Sequence, residues 1–313
     1  MTYRTRIALM GLLWLGSQAA HALTTISPGN ISTDTVWNLA GSPYVVQGTV
    51  QVFGVSNPRL TIEAGVELRF APGARLAIGL DAGNWTGYRG QLTAVGTAAQ
   101  PILFTADNGQ SGGWAGLFFT NNADYGGATS QLEHAIVEKA TTNLTVSESA
   151  QPALIAHVEL RQGSQGGLAL AGSSTVLALQ DLSIHDNGGY GLVLSGTPLP
   201  PVTAVSLTGH ADNRVAYTGT ISQDMTLDLA AWPLDVIFSG TTWVYGESMP
   251  RLTLPAGCQL RFAPGARLAI GLDAGNWTGY RGQLTAVGTA AQPILFTADN
   301  GQSGGWAGLF FTN

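Results

Sequence analysis

The chain repeats itself. Residues from Leu68 to Asn121 return without a change from Leu260 to Asn313, 54 residues at an offset of 192. Upstream the match continues in drifted form. "ISTDTVWNLAGSP" (31–43) matches "ISQDMTLDLAAWP" (221–233) at an offset of 190, and "GTVQVFGVSNPRLTIEAGVELRF" (48–70) matches "GTTWVYGESMPRLTLPAGCQLRF" (240–262) after a two-residue insertion. The chain reads as one unit of about 190 residues followed by the first half of a second, and self-similarity of this kind governs every local reading. We divide it at 23–220 and 221–313, the second unit being incomplete at its C-terminal side.

A finer period lies inside the first unit. "IAHVELRQGSQGGLALAG" (155–172) aligns with "LQDLSIHDNGGYGLVLSG" (179–196) at 24 residues, and "LEHAIVEKA" (132–140) aligns one step earlier at 23. Val137, Leu160 and Ile184 fall in one column. Each period holds short alternating segments separated by Gly, Asn and Ser, the pattern of strands with one buried face. A period of 23–24 residues with about three short strands predicts one turn of an all-β, right-handed single-stranded parallel β-helix. The segment 26–58 is expected to cap its first turn, because a solenoid end exposes backbone groups that have to be covered. "TPLPP" (197–201) is the strongest breaker and marks a bent coil or the approach to the unit boundary near Thr220.

Residues 1–22 have a different composition. Arg4 and Arg6 precede an apolar run from Ile7 to Gly16, and Ala20-His21-Ala22 has the small-x-small form of a cleavage site. This predicts a secretory signal peptide and a secreted, periplasmic or cell-surface location. Later segments are too short and too polar to span a bilayer. Charge narrows the partners. Only 10% of residues are charged, the formal net charge is −6, and Lys139 is the sole lysine, so nucleic acid has no basic surface to meet. Cys258 is the only cysteine, and it reads as a small buried hydrophobe.

"LTIEAGVELRFAPGARLAIG", "GQLTAVGTAAQPILFTADN", the following "GGWAGLFF" and "IHDNGGYGLVLSG" resemble the right-handed parallel β-helix repeats of bacterial secreted and surface proteins in the pectin-lyase-like superfamily. The resemblance covers nearly the whole chain after residue 22. It implies adhesins, surface proteins and carbohydrate-active enzymes as neighbours, and it informs fold and location more than chemistry. The grouped Asp residues and Gly-His-Gly of polygalacturonase-like members have no counterpart. Nor has the acidic calcium cluster of pectate-lyase-like members, so no cofactor is expected, and Ca2+ stays open without a motif that supports it.

Three sets of residues are candidates for chemistry. If Val137, Leu160 and Ile184 point inward, the alternating positions point outward in columns. His134, His157 and Asp181 form one, with side chains suited to a transition metal. Ile136, Glu159 and Ser183 form the next, and Glu138, Arg161 and His185 a third. From these, Glu138, Glu159, Arg161 and His185 are the candidate acid–base groups, with the competing reading that they are a salt-bridged solvent face. The third set is the doubled loop "GLDAGNWTGYRG" (79–90 and 271–282). Its Trp85, Tyr88 and Arg89, and Trp277, Tyr280 and Arg281, are candidates for stacking on and hydrogen bonding to a sugar, or for covering the rim of a coil. His210 reads as a loop residue, and Trp114 and Trp306 as corner packing.

The expected function is a secreted or cell-surface scaffold that binds polysaccharide or another surface without catalysis. The alternative is a polysaccharide lyase or glycoside hydrolase working on the outward polar face. A third is a passenger fragment anchored by sequence beyond Asn313.

Overall fold

A computed structural model describes residues 23–83, 86–124, 127, 130–147, 150, 154–172, 178–272 and 278–312. The leader expected at 1–22 lies outside them. The first coil consists of β1 (Thr24–Ile26), β2 (Gly29–Ile31) and β3 (Thr35–Trp37), and the second of β4 (Tyr44–Val46), β5 (Thr49–Val52) and β6 (Arg59–Ile62). The segment 26–58 therefore belongs to two full coils in register with the next one, β7 (Glu67–Phe70), β8 (Arg75–Ile78) and β9 (Gln91–Val95). Then come β10 (Ile102–Ala106), β11 (Gly116–Phe119), β12 (Gln131–Glu138), β13 (Thr142–Val146), β14 (Leu154–Arg161), β15 (Gly166–Ala171), β16 (Leu179–His185), β17 (Leu192–Ser195) and β18 (Val202–Thr208). Each strand pairs in parallel with its equivalent one coil away, the arrangement of a parallel β-helix.

Inward residues stack in columns. On the first face Tyr44, Leu68, Phe104, Val137, Leu160, Ile184 and Leu207 are successive ladder partners. On the second, Val50, Leu76, Leu117, Leu144, Leu168 and Leu192 are. Apart from Leu207 these side chains are buried, and each contributes about 1.5–3 kcal/mol by leaving water. Trp114 closes a corner as expected. It stacks on Phe70 with ring centroids 4.0 Å apart, and its indole N–H donates to the carbonyl of Glu138 at 2.8 Å. Trp306 repeats the stack on Phe262 at 4.2 Å.

From β12 onward, two faces share one bent strand. The N-terminal half of β12 pairs with β9 and its C-terminal half with β10. Between the halves, His134 has φ +46°, and His157 (+55°), Asp181 (+48°) and Ala204 (+52°) occupy the same place in β14, β16 and β18. A single left-handed residue turns the chain and advances the in–out alternation by one, so Leu132 and Ala135 both reach the core. Outside glycine, Asn, Asp and His visit this region most readily. That preference accounts for the two histidines and the aspartate of this column without reference to a ligand.

The opposite corner is held by side chains. Asn187 Oδ1 accepts from the Gly163 amide (2.7 Å) and from Asn143 Nδ2 (3.0 Å), while its own Nδ2 donates to the carbonyls of Leu160 and His185. His210 continues this ladder. The Asn187 amide donates to its Nδ1 at 3.2 Å, and its Nε2 donates to the Ile184 carbonyl at 3.1 Å. His210 lies in the loop between β18 and β19 as expected, and there both of its ring nitrogens bond backbone groups of the neighbouring coil.

The second unit is entered along β19 (Val215–Ile221), which crosses the boundary at 220/221, and continues with β20 (Met225–Thr226), β21 (Val236–Val244), β22 (Arg251–Leu254), β23 (Gln259–Phe262), β24 (Arg267–Ile270), β25 (Gln283–Ala286), β26 (Leu295–Ala298) and β27 (Gly308–Phe311). It does not continue face upon face. The N-terminal half of β19 is the counterpart of β1 on the first face, yet it pairs with β17 on the second face of the first unit. β21, β23 and β26 follow along that line. β18 is left with β16 as its ladder partner. Leu229, Trp232 and Leu234 pack beside its Val202, Val205 and Leu207 against the core, and the Trp232 indole donates to the Pro200 carbonyl at 2.8 Å. Arg214 ties the junction by forking onto Asp212 and Asp299. Cys258 is a buried free thiol just before β23, where the first unit has buried Val66.

Two stability measurements check this architecture. His157→Val should lower the denaturant midpoint by an amount equivalent to about 1–2 kcal/mol, whereas His157→Asn should change it little. In the identical segments, Phe119 is fully buried and Phe311 is 67% exposed. Phe119→Ala should cost about 3–5 kcal/mol and Phe311→Ala well under 1 kcal/mol.

Candidate functional site

The bent strands carry the expected polar columns on their outer side. Ile136, Glu159 and Ser183 are ladder partners, as are Glu138, Arg161 and His185. Register therefore brings these groups together as the spacing predicts. The links run across coils as a chain of ion pairs. Thr105 donates to Glu138 Oε1 at 2.7 Å, and the Arg161 Nε donates to Glu138 Oε2 at 2.7 Å. Another Arg161 nitrogen lies 2.5 Å from Glu159 Oε1, which also meets His185 Nε2 at 3.0 Å. His185 Nδ1 reaches Asp186 at 2.8 Å, and Lys139 lies 3.0 Å from Glu138 Oε1.

Glu138 is buried despite its position in an outward column, since Thr105, Lys139 and Arg161 cover it. Burial alone raises its carboxyl pKa, but the hydrogen bonds from Thr105, Lys139 and Arg161 overcome this and hold it below the ordinary value. A general acid for glycoside cleavage needs the opposite shift. Burial likewise lowers the pKa of Arg161, and its bonds to Glu138 and Glu159 reverse the direction and raise it. For His185, burial lowers the pKa, and the hydrogen bonds to Asp186 and Glu159 outweigh that and raise it. For Glu138, Arg161 and His185 the partners thus favour the charged form over the neutral one.

His134, His157 and Asp181 stand in a line beside this ladder. The two imidazoles are stacked, with centroids 4.6 Å apart and planes 4° from parallel, and His157 Nδ1 lies 3.5 Å from Asp181. Stacked rings present their faces to each other rather than their nitrogens to a common point. Among the described residues, no group of three or more His, Cys, Asp or Glu side chains is placed to hold a metal ion.

The doubled loop is anchored in the same way at both places. Leu80 donates to the Tyr88 carbonyl and Gly54 to that of Arg89; Leu272 and Gly246 do the same with Tyr280 and Arg281. Gly90 and Gly282 end the loops where a Cβ would lie under 2 Å from the carbonyl oxygens of Val52 and Val244, so only glycine fits. Asn84, Trp85 and Trp277 lie outside the described residues. Tyr88 and Tyr280 are half-buried on short 3-10 turns (Thr86–Tyr88 and Thr278–Tyr280), and Arg281 is exposed. Tyr88 meets Phe53 edge-on at 6.5 Å. In the second unit Tyr245 replaces Phe53, Trp243 replaces Gln51, and both join Tyr280 in an aromatic cluster. Sequence reasoning singled out the loop and missed this cluster, because the exchanged residues lie outside the identical segment. The drift at 51 and 53 against 243 and 245 was the available signal.

Fold and sites together define a parallel β-helix protein with a charge-paired outer face and aromatic corners. No protein-family model, curated protein or solved structure matches the chain. Among the described residues, no helix is long and apolar enough to cross a membrane.

The His185 linkage has a defined sign. Because its pKa is raised in the folded state, its ion pairs contribute fully below the unfolded value near 6.5. That contribution fades as pH rises through the folded value. The stability difference between the wild type and His185→Gln should therefore be larger at pH 5.5 than at pH 8.5, measured by urea unfolding at fixed ionic strength. A pH-independent difference would assign His185 a packing role only.

Proposed function

We propose that this protein is a secreted or cell-surface scaffold of the pectin-lyase-like kind that binds carbohydrate or another surface without catalysis. The observation that carries the reading is the pair of aromatic corners, Tyr88 with Phe53 and Tyr280 with Tyr245 and Trp243, displayed on a stack of coils. Aromatic rings with a polar tip suit sugars, which offer an apolar C–H face and a rim of hydroxyls. A solenoid supplies an extended surface for such contacts. The leader-like sequence pattern of residues 1–22, with its basic start, apolar run and Ala20-His21-Ala22, and the resemblance of the repeats support the location. The hydrolase alternative draws less support, because the outer carboxylates are already engaged by Thr105, Lys139, Arg161 and His185.

A glycan array probed with residues 23–313, beside Tyr88→Ala and Tyr280→Ala variants, tests the reading. Binding to a subset of glycans that falls at least tenfold in one of the variants is the expected result. An array with no bound glycan would remove carbohydrate as the partner. New reducing ends or unsaturated products from pectin or alginate would restore the enzyme alternative.

A further inference from the structure

The second copy of the loop borders a cleft that has no counterpart beside the first among the described residues. A cavity of about 440 Å³ lies beside Gly279 of the second loop, and its polar lining includes Ser195, Thr220, Ser222, Tyr245 and Glu247. Ser195 ends β17 in the first unit, and Ala171 and Gly172 extend the same wall at the end of β15. The other wall, Tyr245 to Glu247, follows β21 in the second unit. In the first unit the residues matching Tyr245 and Glu247 are Phe53 and Val55, and Val55 is 82% exposed. No described coil precedes β1–β3, so nothing among the described residues supplies the counterpart of Ser195 there. The cleft is a product of the junction rather than of the repeat.

Its chemistry is specific. Tyr245 offers a half-buried ring whose neighbours Trp243 and Tyr280 meet it at 84° and 68°, so neither lies flat upon it. The Ser and Thr hydroxyls donate or accept. Glu247 is exposed and has no ion-pair partner among the described residues. A carboxylate accepts from two adjacent sugar hydroxyls and repels another carboxylate. The volume falls within the ordinary range for small-ligand sites. We infer that the cleft between Ser195 and Glu247 is a saccharide-binding site selective for neutral over uronic-acid chains. This rests on the carbohydrate reading above and gives it a location and a charge preference. The preference runs opposite to that of a pectin or alginate binder.

The test titrates the chain with neutral hexasaccharides (cello- and xylo-oligomers) and with oligogalacturonate and oligoalginate of equal length, by calorimetry. Neutral chains should bind at least tenfold more tightly than the uronates. The double variant Tyr245→Phe/Glu247→Val installs the residues the first unit carries on the equivalent backbone, so its fold should be kept, as checked by circular dichroism and the unfolding midpoint. It should bind neutral chains at least tenfold more weakly. The reciprocal Phe53→Tyr/Val55→Glu should create no second site. Neutral binding that survives in the double variant, or a preference for uronates, would overturn the cleft while leaving carbohydrate binding in place. Silence from every oligomer and from the array would end both.

Discussion

From β1 to β18 the strands pair with their equivalents one coil away. A parallel ladder leaves no choice of register, because a slip of one residue would turn each inward side chain outward. The columns from Tyr44 to Leu207 and from Val50 to Leu192 are the consequence. Where the chain turns, the ladder lapses and other groups take over its role. Asn143, Asn187 and His210 bond the backbone at one corner, and a left-handed residue bends the strand at another. The charged outer face is subordinate to the same rule. Glu138, Arg161 and His185 meet because their strands are locked, and the meeting then favours the charged form of each.

Much of this was legible in the sequence. The 23–24-residue period placed Val137, Leu160 and Ile184 in one column and Glu138, Arg161 and His185 in another, and the ladder pairs them so. Four things escaped, each for a physical reason. Alternation was read as unbroken through His134, but backbone handedness is not visible in hydrophobicity, so the histidine column looked like ligands when its residues suit a bend. Outward position was equated with exposure, yet Glu138 is covered by the long side chains of its neighbours. His210 was placed in a loop, where it lies, but its bonds to the neighbouring coil's backbone went unread, because a hydrogen-bond ladder at a corner carries no period in apolar residues. The shift of the second unit onto the second face was also invisible, since the same residues fit either continuation.

The duplicated segment shows how far environment can separate identical sequences. Phe119 and Phe311 have the same neighbours in sequence and opposite exposure. The loops at 79–90 and 271–282 are tied by the same backbone bonds, and they differ in the rings against them because those rings come from the drifted part. Identity in this chain marks shared scaffold. The two corners differ in the rings that the diverged positions supply.

The one-face shift at the junction also fixes how the two loops relate to each other. The first leaves the coil between the second and third faces. The second leaves the equivalent corner of a unit whose first face is stacked on the second face of the first unit. The ladder behind the second loop runs from β24 back through the C-terminal halves of β21 and β19 and pairs no further with β17, so the two identical loops do not stand on one continuous ladder.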